Sequence, residues 1–116
     1  MTTPAASAAR DTSAASPPVP KASVLEIQRH VAEYYSLPIE AMTARCRLRS
    51  MTLPRQVAMY LARQMTGRSF PEIGDRFERD PATVMHAVRH VAARLETDPD
   101  LAAEVAALRD AVRLAA

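Results

Sequence analysis

A chain of 116 residues with a formal net charge of +2 suggests one domain with a single modest core. The lone cysteine, Cys46, excludes an intrachain disulfide and points to a reduced, cytoplasmic setting. No apolar run approaches the roughly 20 residues of a membrane span, the N-terminus lacks the apolar stretch of a secretory signal, and the absence of Trp disfavours a single-strand binder built on base stacking.

Residues 1–22 read as a disordered Ala/Ser/Pro-rich tail, with too little apolar surface to offset the entropy of ordering. Residues 23–116 read as the folded domain. Ser23 and Glu26 have the spacing of a capping box. Val24, Ile27, Val31 and Tyr34 then recur at helical spacing, and this helix should end near Tyr35, before Leu37-Pro38. A short helix is expected from Ile39 to Thr43, with Pro38 leading it. Ala44 to Thr52 read as a basic loop. Thr52 or Leu53 should open the next helix, with Pro54 in its first turn, Val57, Ala58, Leu61 and Met65 on its buried face, and Gly67 as its stop. Ser69 and Glu72 form a second capping-box pattern, opening a short helix through Phe77. Asp80 is a good N-cap and Pro81 suits the position after it. The helix that follows should run to about Glu96 with Val84, Val88, Val91 and Leu95 buried. After Asp98-Pro99, a last helix carries Leu101, Val105, Leu108 and Val112. No strand-like alternation is present, so the expected class is all-α, a helical cluster.

Two helices joined by about three residues, Glu78 to Asp80, with compact residues opening the second, have the form of a helix-turn-helix. Gly74 inside the first helix normally costs about 1 kcal/mol, which close approach of the two helices would explain. An ordinary helical hairpin shares that pattern, so charge placement has to separate the two. Of the 15 basic residues 14 are Arg, a bias that a GC-rich genome alone would also produce. Between Ala41 and Pro71, however, six Arg occur with no acid, and from Ala41 to Arg94 ten Arg face four acids. Acids gather instead at Glu96, Asp98, Asp100, Glu104 and Asp110. A basic patch beside a candidate recognition helix is the footprint of a duplex-DNA binder. The alternation of Arg45, Arg47 and Arg49 suits an extended loop whose alternate side chains point together at phosphates or a minor groove.

The run Ser69-Phe-Pro-Glu-Ile-Gly-Asp-Arg-Phe77, then Arg79-Asp80 and Thr83-Val-Met-His-Ala-Val-Arg89, resembles the C-terminal duplex-DNA-binding domain of the bacterial replication initiator DnaA. So do Pro54-Arg55-Gln56 and Val31-Ala-Glu-Tyr-Tyr35, and the likeness covers roughly Val24 to Leu95. It implies a Trp-repressor-like helix-turn-helix fold and a double-stranded DNA partner. By position it implies a minor-groove contact from Arg47 and phosphate contacts from Arg55 and Gln56; Arg45 and Arg49 of the basic loop, and Ser69, complete the expected phosphate and minor-groove set. It implies base readout and helix contacts from Arg79, Asp80, Pro81, Ala82, Thr83, Arg89 and His90. The family's usual His-Thr after the Asp is here Pro81-Ala82, its Arg-Lys is here Arg89-His90, and the Gly-Gly of its turn is replaced by a turn one residue shorter containing Glu78. Ala82 still offers a methyl for thymine, and Asp80 an acceptor for cytosine.

With only Gly67 and Gly74, the sequence has no Gly-x-x-x-x-Gly-Lys loop for nucleotide phosphates, so a stand-alone regulator of transcription or replication without ATPase activity is expected, nucleoid-associated in the cytoplasm. No catalytic residue, cofactor, nucleotide, membrane contact or metal is expected. His86 and His90 have zinc-ligand spacing, yet Ala87 stands where a metalloprotease needs Glu and no third ligand is evident. His86 reads as a packed or capping histidine, Cys46 as a passive thiol, and the six Met as core filler. The competing expectation is a protein-interaction module that has lost base readout, with the apolar stripe of the last helix as a homodimer seam.

Overall fold

The computed structural model describes residues 23–45 and 49–115. The tail at 1–22, Cys46 and Arg47 lie outside the described residues. Five α-helices and one 3-10 turn follow in chain order: α1 (Val24–Tyr34), the 3-10 turn (Ile39–Met42), α2 (Arg49–Thr66), α3 (Phe70–Phe77), α4 (Pro81–Leu95) and α5 (Pro99–Ala115). The described residues contain no strand, and none of their helices is long and apolar enough to cross a membrane.

Local signals set most of the ends. The Ser23 hydroxyl accepts from the Glu26 N–H and starts α1. Gly67, at φ +69°, ends α2 in the left-handed region that glycine enters without a Cβ penalty. Ser69 and Glu72 satisfy each other's backbone donors in a complete capping box at the start of α3.

α2 is the central helix. Val57, Ala58, Leu61 and Ala62 are fully buried against Ile27 and Val31 of α1, Ile73 and Phe77 of α3, and Val84, Ala87 and Val91 of α4. Leu101, Val105, Leu108 and Val112 of α5 close the core, at 1–3% exposure. The stripe proposed above as a dimer seam is therefore this domain's own interior. Tyr34, which continues the helical spacing of Val24, Ile27 and Val31, is 48% exposed, and it is Tyr35 that packs on the core. Val88 and Leu95 are only partly buried.

The start of α2 departs from expectation. The helix begins at Arg49, so Pro54 sits inside it. Its ring denies the Ser50 carbonyl an intrahelical partner. Met51 and Leu53 nevertheless pack against the core, and the Arg55 side chain donates to the Met51 carbonyl at 3.2 Å. Tertiary packing thus carries the leading turn past a proline that would stop an isolated helix. Because Arg49 is already helical, Arg45, Arg47 and Arg49 do not share one extended segment.

Candidate nucleic-acid interface

α3 and α4 form the helix-turn-helix. α3 ends on Glu78, which adopts the left-handed conformation at φ 56°, ψ 47°. The Arg79 N–H then donates back to the Gly74 carbonyl at 2.9 Å. This brings the turn so close to α3 that a Cβ on Gly74 would lie 2.4 Å from the Arg79 carbonyl oxygen. Glycine at 74 is thereby a packing requirement of the motif. Asp80 caps α4 by position, with extended backbone and Pro81 behind it, but its side chain makes no capping hydrogen bond. Its carboxylate is exposed beside Pro81, Ala82 and Thr83, which are exposed as well. The opening of α4 therefore presents an acceptor, a methyl and a hydroxyl to solvent.

Between α2 and α4 lies an open cleft of about 680 Å³, lined by Arg45, Thr52, Arg55, Gln56, Met59, Arg79, Thr83, His86, Ala87 and His90. It gathers residues from the loop after the 3-10 turn, from the first half of α2 and from one face of α4. Thr83, His86 and His90 fall on one α4 face because three- and four-residue spacings stack side chains on a helix. Thr52, Met59, His86 and Ala87 are site residues that sequence reasoning missed. His86 is exposed into this cleft and is neither packed nor capping. Its signal was its spacing from Thr83 and His90. Among the described residues, no group of three His, Cys, Asp or Glu is placed to hold a metal ion.

The arginines divide by employment. Arg55 is 7% exposed, and its guanidinium donates to the Met51 carbonyl and, at 3.0 Å, to that of Ala44. The Arg79 guanidinium donates to four backbone carbonyls, those of Thr43, Ala44, Phe77 and Glu78. Arg63 binds the Arg68 carbonyl at 2.7 Å and lies 4.6 Å over the Phe70 ring. Arg68 meets Glu72 at 3.5 Å, and Arg94 meets Asp98 at 2.8 Å. Arg45 and Arg89 remain exposed, Arg45 lining the cleft and Arg89 on α4 beside His90. The Ser69 hydroxyl is engaged with Glu72, away from the cleft. Beside α3 the surface is of mixed charge, with Asp75, Glu78 and Asp80 around Arg45 and Arg79.

An all-helical domain whose exposed second helix borders a basic cleft belongs to the DNA-binding helix-turn-helix class. Comparison with known proteins narrows this. The profile of the family described as "Bacterial dnaA protein helix-turn-helix" matches residues 24–91, and the chain belongs to that family. It is 50% identical over 91 residues to the chromosomal replication initiator protein DnaA of Sphingopyxis alaskensis, covering 78% of this chain and 20% of that protein. The DnaA of Cereibacter sphaeroides is 50% identical over 90 residues, covering 77% and 20%, and that of Ruegeria pomeroyi 48% over 93 residues, covering 79% and 20%. The chain thus spans about a fifth of the length of these relatives.

Proposed function

We propose that this chain binds double-stranded DNA with sequence preference, as a regulator of transcription or replication, and that binding needs neither nucleotide nor catalysis by its own residues. The observation that carries this is the cleft between α2 and α4, which sets Arg45, Gln56, His86 and His90 beside the exposed start of the recognition helix. Arg45, Gln56, Arg89 and His90 contact phosphates or a groove. Asp80, Ala82 and Thr83 read base edges, with Pro81 fixing the helix entry. Arg47, outside the described residues, joins the phosphate set through its family position. Arg55 and Ser69 support the surface through their backbone and capping bonds.

The test is a gel-shift series on duplex genomic fragments at rising salt, with and without ATP. The affinity is expected to fall steeply with salt, to differ among fragments and to ignore ATP. Arg45→Ala should lower the slope of log affinity against log salt by about 0.9, one phosphate contact's worth. Binding that is insensitive to salt, or unchanged by Arg45→Ala with Arg89→Ala, would overturn the proposal.

A further inference from the structure

We infer that Arg79 is a positioning residue, a strut that sets the Arg45 loop against the recognition helix, and that it touches no DNA. The inference rests on the DNA-binding function proposed above and goes beyond it. By charge and position Arg79 looks like a contact residue, since it precedes α4 and borders the cleft.

Its bonds say otherwise. Nη1 donates to the carbonyls of Phe77 and Glu78 at 3.1 and 3.2 Å, which closes the guanidinium onto its own turn. Nη1 and Nη2 also reach the carbonyls of Thr43 and Ala44, more than thirty residues away in sequence. The backbone of Arg79 is fixed too, through its N–H on the Gly74 carbonyl. Both ends of the strut are therefore anchored. On the far side Arg55 Nη1 donates to the same Ala44 carbonyl, so two guanidiniums hold one peptide.

Residue 44 immediately precedes Arg45. Fixing its carbonyl fixes where the Arg45 backbone leaves, relative to the turn that launches α4. Two separate elements must meet DNA in register if a loop grips one stretch of backbone while a helix enters a groove. A guanidinium can perform this bridging because it presents five donors in a planar fork. A lysine ammonium gathers only three donors on one atom and cannot hold the Ala44 carbonyl together with those of Thr43, Phe77 and Glu78.

The experiment uses the full chain and two readouts. In the free protein, amide hydrogen exchange is measured at Thr43 and Ala44, whose N–H groups are bonded to the Glu40 carbonyl, and at Ala87 and Val91 in α4. In Arg79→Ala and Arg79→Lys, exchange at 43 and 44 should accelerate at least fivefold while 87 and 91 hold. Unchanged exchange at 43 and 44 overturns the strut, whatever the DNA result. On duplex DNA, Arg79→Lys should lose about as much affinity as Arg79→Ala, roughly tenfold. Arg45→Ala should cost several-fold alone and less than twofold in the Arg79→Ala background, with no further fall in salt slope. Lysine rescue to within twofold, additive losses, or an extra slope decrease of about 0.9 would make Arg79 a direct phosphate contact. Should Arg79→Ala fail to fold by circular dichroism, Arg79→Lys carries both readouts. Absence of DNA binding by the unsubstituted chain removes the proposed function but leaves the exchange result to decide the strut.

Discussion

A β-carbon at residue 74 has nowhere to go. The obstacle at 2.4 Å is the Arg79 backbone carbonyl, not the end of a flexible side chain, so the turn itself must move. Gly74→Ala should therefore destabilise the domain by about 1–3 kcal/mol, the usual range for overpacking, despite alanine's better helix propensity. Urea unfolding followed at 222 nm gives the number, and an unchanged midpoint would mean the turn relaxes freely. Four residues on, Glu78 shows the opposite mismatch. It holds φ 56° as a non-glycine residue, a conformation that costs an L side chain roughly 1–2 kcal/mol. Part of that returns as the lower unfolded-state entropy of a non-glycine residue. Glu78→Gly is accordingly expected to raise stability by about 0.5–1 kcal/mol in the same assay. The pair illustrates what sequence carries at this scale. Gly74 was legible as a close-approach position because a mid-helix glycine is costly without one. That Glu78 would adopt the glycine conformation was not legible, because the shorter turn still has to reverse the chain whatever residue occupies it.

Among the elements, those whose ends rest on local chemistry were readable and those set by distant packing were not. The capping box of α3 needs only Ser69 and Glu72, three residues apart, and the α2 stop needs only Gly67. The early start of α2 depends on Met51 and Leu53 meeting the core and on Arg55 reaching Met51 and Ala44. Arg79 depends on carbonyls of Thr43 and Ala44 that no local pattern connects to it. For this reason the basic stretch was legible as a whole, but the division of its arginines between braces and exposed cations was not. The capped ends also make a pH prediction. The Ser69 backbone N–H and hydroxyl hold the Glu72 carboxyl below its ordinary value, with Arg68 and Arg76 adding to the effect. The Leu101 N–H, then Arg94, do the same for Asp98 at the head of α5. A carboxyl whose pKa is lowered by folding contributes stability that is complete above its unfolded value and lost as pH falls through the folded one. The melting temperature should thus be steady above about pH 5 and fall below about pH 4, near ordinary carboxyl values. Glu72→Gln with Asp98→Asn should melt lower at pH 7 and show a flatter acid limb. An equally steep limb in that variant would place the acid sensitivity elsewhere.

For the molecule as a whole, the family match ends at Val91, yet the core does not. α5 supplies four fully buried side chains and packs on α1, α2 and α4. None of its residues lines the cleft, and much of the chain's acid lies on it or on the approach to it. It serves as a buttress, with its negative charge away from the basic cleft. A polar bond from α1's end also ties it down: the Tyr35 hydroxyl, just past α1, donates to Glu104 at 2.7 Å. Burial first, then this bond and the Glu104 charge, push the phenol well above its ordinary range. Ionisation is therefore disfavoured in the folded state. The contribution is whole below a free tyrosine's value near 10 and is lost as pH rises beyond it. Tyr35→Phe leaves Glu104 without its donor and should cost about 1 kcal/mol at pH 7, the net worth of a typical hydrogen bond. It should also remove part of the stability loss above pH 10. If α5 is only a buttress, DNA affinity measured well below the melting temperature should stay within twofold of the unsubstituted chain. A larger affinity loss, with stability unchanged, would instead make the α1–α5 tie part of the DNA-binding surface.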